Sequence, residues 1–439
     1  MAKWKCTICG EIVEGDNAPD QCPVCGVAAE YFIKLEEENN ISKEFNDEYR
    51  IVIIGASGAG MSAAEEIRKR NKKCSLIIIS KEDIKGYYRP QLSKMLSSNI
   101  VPDSITIKDD KWYKDNDVKL MLNRVVAKID VKNKKLISIE GKELEYDKLI
   151  IASGAEVFVP PIPGRDKKGV YTLRYMKDLF EIKEFAKGKK TAAVIGGGIL
   201  GLEAASELNN LGLNVTVLER NDRILNRQLD VNGSAILEDI VKEAGVTIRK
   251  FASSKEIVGD ENVTGVLLED GETISADLVI ISTGVKSNCE FASPDIEVKK
   301  AIVVNNKMET NVPDVYACGD CAEFDGVNYA LWSEAIVQGK AAGINAVGDE
   351  YIYEQIIPST TLNAFNSSVF SIGDVGSKKE VDYEIYEAME QDSKNYKKMY
   401  FINGILSGGI LIGDTSKTVE LIEGFEKNRS KNEMIKKFN

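Results

Sequence analysis

Two stretches of this 439-residue chain share one design: RIVIIGASGAGMSAAEEIRK from Arg50 and TAAVIGGGILGLEAASEL from Thr191. In each, a short apolar run meets a glycine-rich turn and then an amphipathic helix, the pattern of a buried parallel strand followed by its crossover helix. Glycines at such a turn let the backbone approach a pyrophosphate, and the N–H groups at the helix start face its negative charge. One such motif is a weak signal. Two in one chain call for an α/β fold with two Rossmann-like three-layer domains, each holding one dinucleotide.

The second copy is complete, with Gly196, Gly198 and Gly201. Its next strand, NVTVLER, ends on Glu219, near the roughly 20-residue offset at which an acid takes the ribose hydroxyls. A carboxylate there repels a 2′-phosphate, which favours NADH. Arg220 and Arg223 lie close by and leave NADPH open. The first copy has Gly55, Ser57 and Gly60, and the strand after it runs SLIIISKED, so that its candidate ribose ligand, Glu82, comes one residue late. Two further strand ends belong to the pattern: LIIASGAEV, with Ala152, Ser153 and Gly154, and DVYACGDCAE, with Gly319 and Asp320.

The chain begins with two C-x-x-C pairs, Cys6/Cys9 and Cys22/Cys25. Each pair can turn two sulfurs toward one ion, and four soft thiolates select zinc or iron. The spacing alone leaves both metals open. Gly10 and Gly26 follow the second cysteine of each pair, where a glycine lets backbone N–H groups approach sulfur. Residues 36–48, EEENNISKEFNDE, are polar and acidic without an apolar period and form a linker. A flexible tether of that length spans roughly 20 Å and holds its two ends at about millimolar effective concentration.

Composition removes several classes of function. The net charge of −12 argues against nucleic acid. No apolar run approaches the roughly 18 residues of a membrane span, and no signal-peptide pattern precedes the cysteines, so the expectation is a cytoplasmic protein. The chain contains no histidine, which excludes His-based triads and imidazole proton shuttles.

Residues 1–35, with Trp4, Cys-Pro-Val-Cys-Gly and Phe32, resemble the short rubredoxins appended to rubrerythrins. The resemblance implies one Fe(Cys)4 centre carrying one electron. The sequence departs from that pattern at Glu11, where an aromatic residue commonly follows the Cys-Gly. The two glycine-rich units, the Ser-Gly strand end and the Gly-Asp strand end occur in the order found in the pyridine nucleotide–disulfide reductase superfamily, which the chain resembles over roughly residues 49–350. This resemblance implies FAD on the first unit, NAD(H) on the second, and Asp320 bonded to the ribityl–pyrophosphate region of FAD. It divides the chain into a rubredoxin-like knuckle (1–35), the linker (36–48), an FAD domain (49–163 and 284–351), an NAD domain (164–283) and a small α+β C-terminal domain (352–439). The last resembles the C-terminal domain of rubredoxin reductases, which covers the flavin and can form a homodimer.

The disulfide reductases of that superfamily carry a redox cysteine pair early in the FAD domain. Here Arg89-Pro90-Gln91-Leu92-Ser93-Lys94 occupies that region, as in the reductases of iron–sulfur proteins. The same resemblance sets Lys94 near the flavin and Glu203, in GLEAA, beside the nicotinamide. The alternative for Glu203, a helix-surface carboxylate, fits less well, because the residue stands one turn into an otherwise apolar helix. Arg89 and Gly284 complete the candidate cofactor contacts. Cys318 and Cys321, in C-G-D-C, fit either small buried residues or a redox pair.

NADH releases two electrons as a hydride, a four-thiolate iron accepts one, and a flavin can mediate between them. The parts therefore imply an NADH-dependent flavoprotein that passes electrons through FAD to its own iron knuckle. From there they go to a redox partner such as a rubrerythrin or flavodiiron protein, removing oxygen, peroxide or nitric oxide. Two other functions use the same parts: an NADH oxidase or peroxidase reacting at the flavin, and a flavoprotein whose zinc-holding knuckle is a binding module.

Overall fold

The computed structural model describes residues 2–6, 11–24, 27–35, 44–390 and 394–438. Cys9, Gly10, Cys25, Gly26 and linker residues 36–43 lie outside the described residues. The two glycine-rich units build the same sheet twice. In the first, five parallel strands lie in the order Val315–Ala317, Lys148–Ile151, Arg50–Ile54, Ser75–Ile79, Val118–Met121. In the second the order is Val170–Tyr171, Leu278–Ile281, Thr191–Ile195, Asn214–Leu218, Thr247–Arg249. Each glycine-rich strand is central, because its residues are buried on both faces: Ile51, Val52 and Ile53 in one sheet, Ala192, Ala193 and Val194 in the other. The crossover helices Gly58–Arg70 and Ile199–Asn210 follow directly. The two domains are joined by a short antiparallel ribbon, Ala155–Val157 against Val285–Ser287.

The glycines that start the two turns are required by close approach. Gly196 has φ +118°, and a Cβ there would lie 2.2 Å from the Ser282 carbonyl oxygen. Gly55, at φ +113°, stands in the same relation to the Ala152 carbonyl, at 2.0 Å.

The C-terminal region forms a five-stranded antiparallel sheet in the order Ser359–Ala364, Ser367–Gly373, Ile405–Ile412, Asn395–Ile402, Glu384–Glu390. The sequence suggests one terminal helix, and the structure has two, Thr418–Glu426 and Lys431–Phe438. The break falls where Asn428 adopts φ 46°, which no continuous helix allows. Among the described residues, no helix is long and apolar enough to cross a membrane.

The N-terminal knuckle is a three-stranded antiparallel sheet with Ala2–Cys6 between Ile12–Gly15 and Phe32–Leu35. Both cysteine loops close with matching backbone bonds, Cys6 N–H to the Glu11 carbonyl at 2.7 Å and Cys22 N–H to the Val27 carbonyl at 2.8 Å. The apolar interior of the knuckle, Cys6, Cys22, Val24 and Phe32, is continuous with Phe370, Met399, Phe401 and Leu421 of the C-terminal sheet and helix. Phe45, inside the expected linker, pairs with Asn71 and packs on the first domain's core.

Candidate dinucleotide and electron-transfer site

A cavity of about 1910 Å³ runs past the carboxyl ends of both parallel sheets. A pocket for one small ligand occupies roughly 300–1,000 Å³, so this space suits two large ligands end to end. The first domain contributes the Gly55–Ala59 turn, Ser80, Lys81, Glu82, the Ala152–Gly154 strand end and Cys318–Asp320. The second contributes Gly196–Leu200, Glu203 and Glu219, and Gly284 lines the space where the chain passes back to the first. Arg89 lines it as well, and so does Val24 of the knuckle.

Several of these groups are already engaged. Glu219 is buried. Its carboxylate accepts the Gly197 N–H at 2.8 Å and both the backbone N–H and the side-chain amide of Asn221 at 2.8 and 2.6 Å. It thereby stiffens the turn while keeping acceptor capacity toward the cavity. Glu82 and Arg89 are partners: Arg89 Nη2 donates to Glu82 Oε1 at 2.7 Å, and the Tyr87 hydroxyl donates to Glu82 Oε2 at 2.7 Å. Asp320 holds Arg174 Nη2 at 3.0 Å. The Ser153 hydroxyl donates to the Asn288 carbonyl at 2.6 Å. Gly60 and Gly201 stand behind the turns, where a Cβ would strike the Gly55 and Gly196 carbonyls at 1.9 and 2.1 Å.

The short helix Leu92–Met95 packs on Ile199–Asn210, which brings two distant motifs together. The Ser93 hydroxyl donates to Glu203 Oε2 at 2.9 Å. Burial pushes the Glu203 carboxyl up to about 7, against the Ser93 hydrogen bond and the charge of Lys94, which lower it; Glu207, one turn on, raises it further. Leu92 and Ser93 form the cavity wall here, and Lys94 stands behind them beside Glu203. Cys318 and Cys321 are buried free thiols, and Cys321 Sγ contacts the Ile151 carbonyl at 3.3 Å. Burial pushes both thiols up, as it does for small interior residues rather than reactive ones.

Two observations test whether the cavity suits the dinucleotides. A Cβ on Gly198 would meet no protein atom within 4 Å, so the backbone at the start of the second helix opens straight onto the space. Arg174, in the wall, is fixed by Asp320 and brings a guanidinium to the same space, a charge suited to a pyrophosphate. For the metal, two of the four cysteines are described. Cys6 and Cys22 are buried at 0% and 2% exposure in one cluster, and the Val24 N–H points to Cys22 Sγ at 3.4 Å. Backbone donors of this kind suit a thiolate ligand.

Sequence reasoning missed Arg174, Tyr88, Gln91 and Trp332. Nothing in LRYMKDL marks Arg174 as facing Asp320, 146 positions on. The one available signal was Glu11, the departure from the knuckle's aromatic pattern.

A chain with two glycine-turn cradles opening on one cavity is a two-dinucleotide oxidoreductase. Residues 49–339 match the family described as pyridine nucleotide-disulphide oxidoreductase. Residues 358–429 match the rubredoxin NAD+ reductase C-terminal domain, and residues 4–33 the rubrerythrin, rubredoxin-like domain. The chain is 36% identical over 390 residues to a nitrite reductase [NAD(P)H] of Bacillus subtilis, covering 88% of this chain and 48% of that protein. It thus spans about half the length of that relative. It is 33% identical over 383 residues to an NADH-rubredoxin oxidoreductase of Clostridium acetobutylicum, covering 87% of this chain and 95% of the other. The crystal structure of NADH:rubredoxin oxidoreductase from Clostridium acetobutylicum superposes with a TM-score of 0.75 at 32% identity, covering 88% and 96% of the two chains. The chain belongs to the pyridine nucleotide-disulphide oxidoreductase family, here with a rubredoxin-like domain fused in front.

Proposed function

We propose that this enzyme takes a hydride from NADH onto FAD and passes the electrons singly to iron held by Cys6, Cys9, Cys22 and Cys25, from which a redox-partner protein collects them. The observation that carries the reading is Val24: a residue between two metal-ligand cysteines lines the same cavity as the glycine turns of both dinucleotide domains. A bound flavin would supply the exchange between a two-electron donor and a one-electron acceptor. The Gly55–Ala59 turn and Gly154 would hold FAD in the 49–163 and 284–351 domain. Gly196–Gly198 and Glu219 would hold NADH in the 164–283 domain. The four thiolates suit iron by softness and by the backbone donor at Cys22. Glu219 supports NADH over NADPH, since a 2′-phosphate would face its carboxylate. The acceptor proteins suggested by the rubredoxin resemblance, rubrerythrins and flavodiiron proteins, remain part of the proposal, as does pairing of two chains through the C-terminal sheet.

The role of Glu203 can be tested by pH. As hydride leaves, the nicotinamide ring becomes positive, and a carboxylate beside it stabilises that charge. Glu203 is mostly neutral below about 7 and ionised above it, with Lys94 and Glu207 the charged groups beside it. The rate of flavin reduction by NADH should therefore rise as pH increases through about 7. Glu203→Gln should remove that rise and lower the alkaline plateau by roughly 10²-fold. Stopped-flow flavin bleaching across pH measures both, and an unchanged pH profile in the variant would remove Glu203 from the hydride step. Comparing NADH with NADPH in the same assay tests Glu219, because the proposal requires NADH to be the better donor.

A further inference from the structure

The knuckle touches the body through polar contacts as well as apolar ones. Gln91 Nε2 donates to two backbone carbonyls of the second cysteine loop, Pro23 at 2.8 Å and Val24 at 3.0 Å. The Tyr88 hydroxyl donates to Glu11 Oε1 at 3.1 Å and the Trp332 indole N–H to Glu11 Oε2 at 3.4 Å. On the other side, the Tyr31 hydroxyl donates to the Thr415 carbonyl at 3.1 Å. Three separated anchor points fix an orientation, where a single contact would leave a pivot. Glu11 is buried at 8% exposure in this seam, a costly place for a carboxyl unless donors meet it. Its position is the one at which the sequence departs from the aromatic pattern of related knuckles; here the aromatic cover comes from Tyr88 and Trp332 of the body, with donors matched to a carboxylate.

We propose that Gln91, Tyr88 and Trp332 are positioning residues that seat the chain's own knuckle in the transfer position and so close this face of the body to free carrier proteins of the same four-thiolate class. The proposal rests on the electron-exit reading above. Electron balance gives it a consequence. Each NADH supplies two electrons and the knuckle holds one, so an outside one-electron acceptor must empty it once between the two transfers. A seated knuckle does this without leaving the body, provided the acceptor meets its outer side.

The test uses the full chain loaded with FAD and iron, as wild type, Gln91→Ala, and Gln91→Ala combined with Tyr88→Phe. Neither Gln91 nor Tyr88 is among the residues lining the cavity, so flavin bleaching by NADH should keep its rate and report an intact fold. Three readouts are expected to move. Hydrogen exchange of the segments spanning 11–24 and 86–93 should quicken. Single-turnover bleaching of the ferric-thiolate band should slow by about tenfold or more, the effect of losing hydrogen bonds that fix one docked pose. Reduction of an added free rubredoxin should speed up by a similar factor as the face opens. Unchanged exchange and unchanged ferric bleaching in both variants, with wild type bleaching normally, would overturn the seating role. A slower internal step with no gain for added rubredoxin would overturn the exclusion of free carriers. Failure of the wild-type iron to bleach at all would instead defeat the electron-exit reading itself, so the two failures are distinct.

Discussion

Gly198→Val should give a folded, flavin-loaded protein that binds NADH at least about 100-fold more weakly, a loss of ~2.7 kcal/mol. Gly198 has φ −81° and ψ 179°, extended backbone that any residue adopts. A Cβ there meets no protein atom within 4 Å, so valine costs the fold little. The open direction is the cavity, where the N–H groups at the start of helix Ile199–Asn210 would face a pyrophosphate. Two extra methyl groups would stand in that approach. Gly196→Ala is the contrasting control. Its Cβ would fall 2.2 Å from the Ser282 carbonyl at φ +118°, so that variant should lose stability rather than binding alone. Titration calorimetry with NADH and a thermal melt separate the two cases. An unchanged NADH affinity in Gly198→Val would place the nicotinamide nucleotide elsewhere.

Cys22→Ser should abolish electron exit while leaving flavin reduction intact. Cys22 is 2% exposed, and its sulfur accepts the Val24 N–H, so serine replaces a buried thiolate with a shorter, harder oxygen. A module of this size has too little core to fold firmly without its metal; structural ions in comparable sites contribute roughly 10–16 kcal/mol. Metal content should fall from about one per chain toward zero. Flavin bleaching by NADH should continue, while electron delivery to a partner protein drops by roughly 10²-fold or more, since the two-electron donor no longer has its one-electron outlet. Undiminished delivery in Cys22→Ser would show that electrons leave from the flavin directly.

The two parallel sheets were legible because their signals are local. A buried apolar run, glycines in a tight turn and a helix lie within twenty residues, and carbonyl contacts such as Gly60 against Gly55 oxygen leave a fixed spacing in the sequence. The cysteine pairs are equally compact. What escaped depends on chain segments far apart in sequence. Ser93 meets Glu203 across 110 positions, and Gln91 meets Pro23 across 68, and no spacing rule encodes either pairing. The Arg89–Glu82 ion pair shows the other limit. Both residues were expected as separate cofactor contacts, and they sit in the cavity wall, but each neutralises the other. The division of the last helix at Asn428 did have a local signal that was overlooked: Asn428 and the Ser430-x-x-Glu433 pattern that starts the second helix, where the Ser430 N–H and hydroxyl both donate to the Glu433 carboxylate at 2.8 and 2.7 Å.

The measurement that bears most directly on the account is an anaerobic NADH titration of the purified chain, followed in the visible and paired with a metal assay on the same sample. The account predicts one iron per chain, an oxidised spectrum with both flavin and ferric-thiolate bands, and loss of both bands as NADH is added. Zinc in the knuckle, or iron that stays ferric while the flavin is fully reduced, would contradict it.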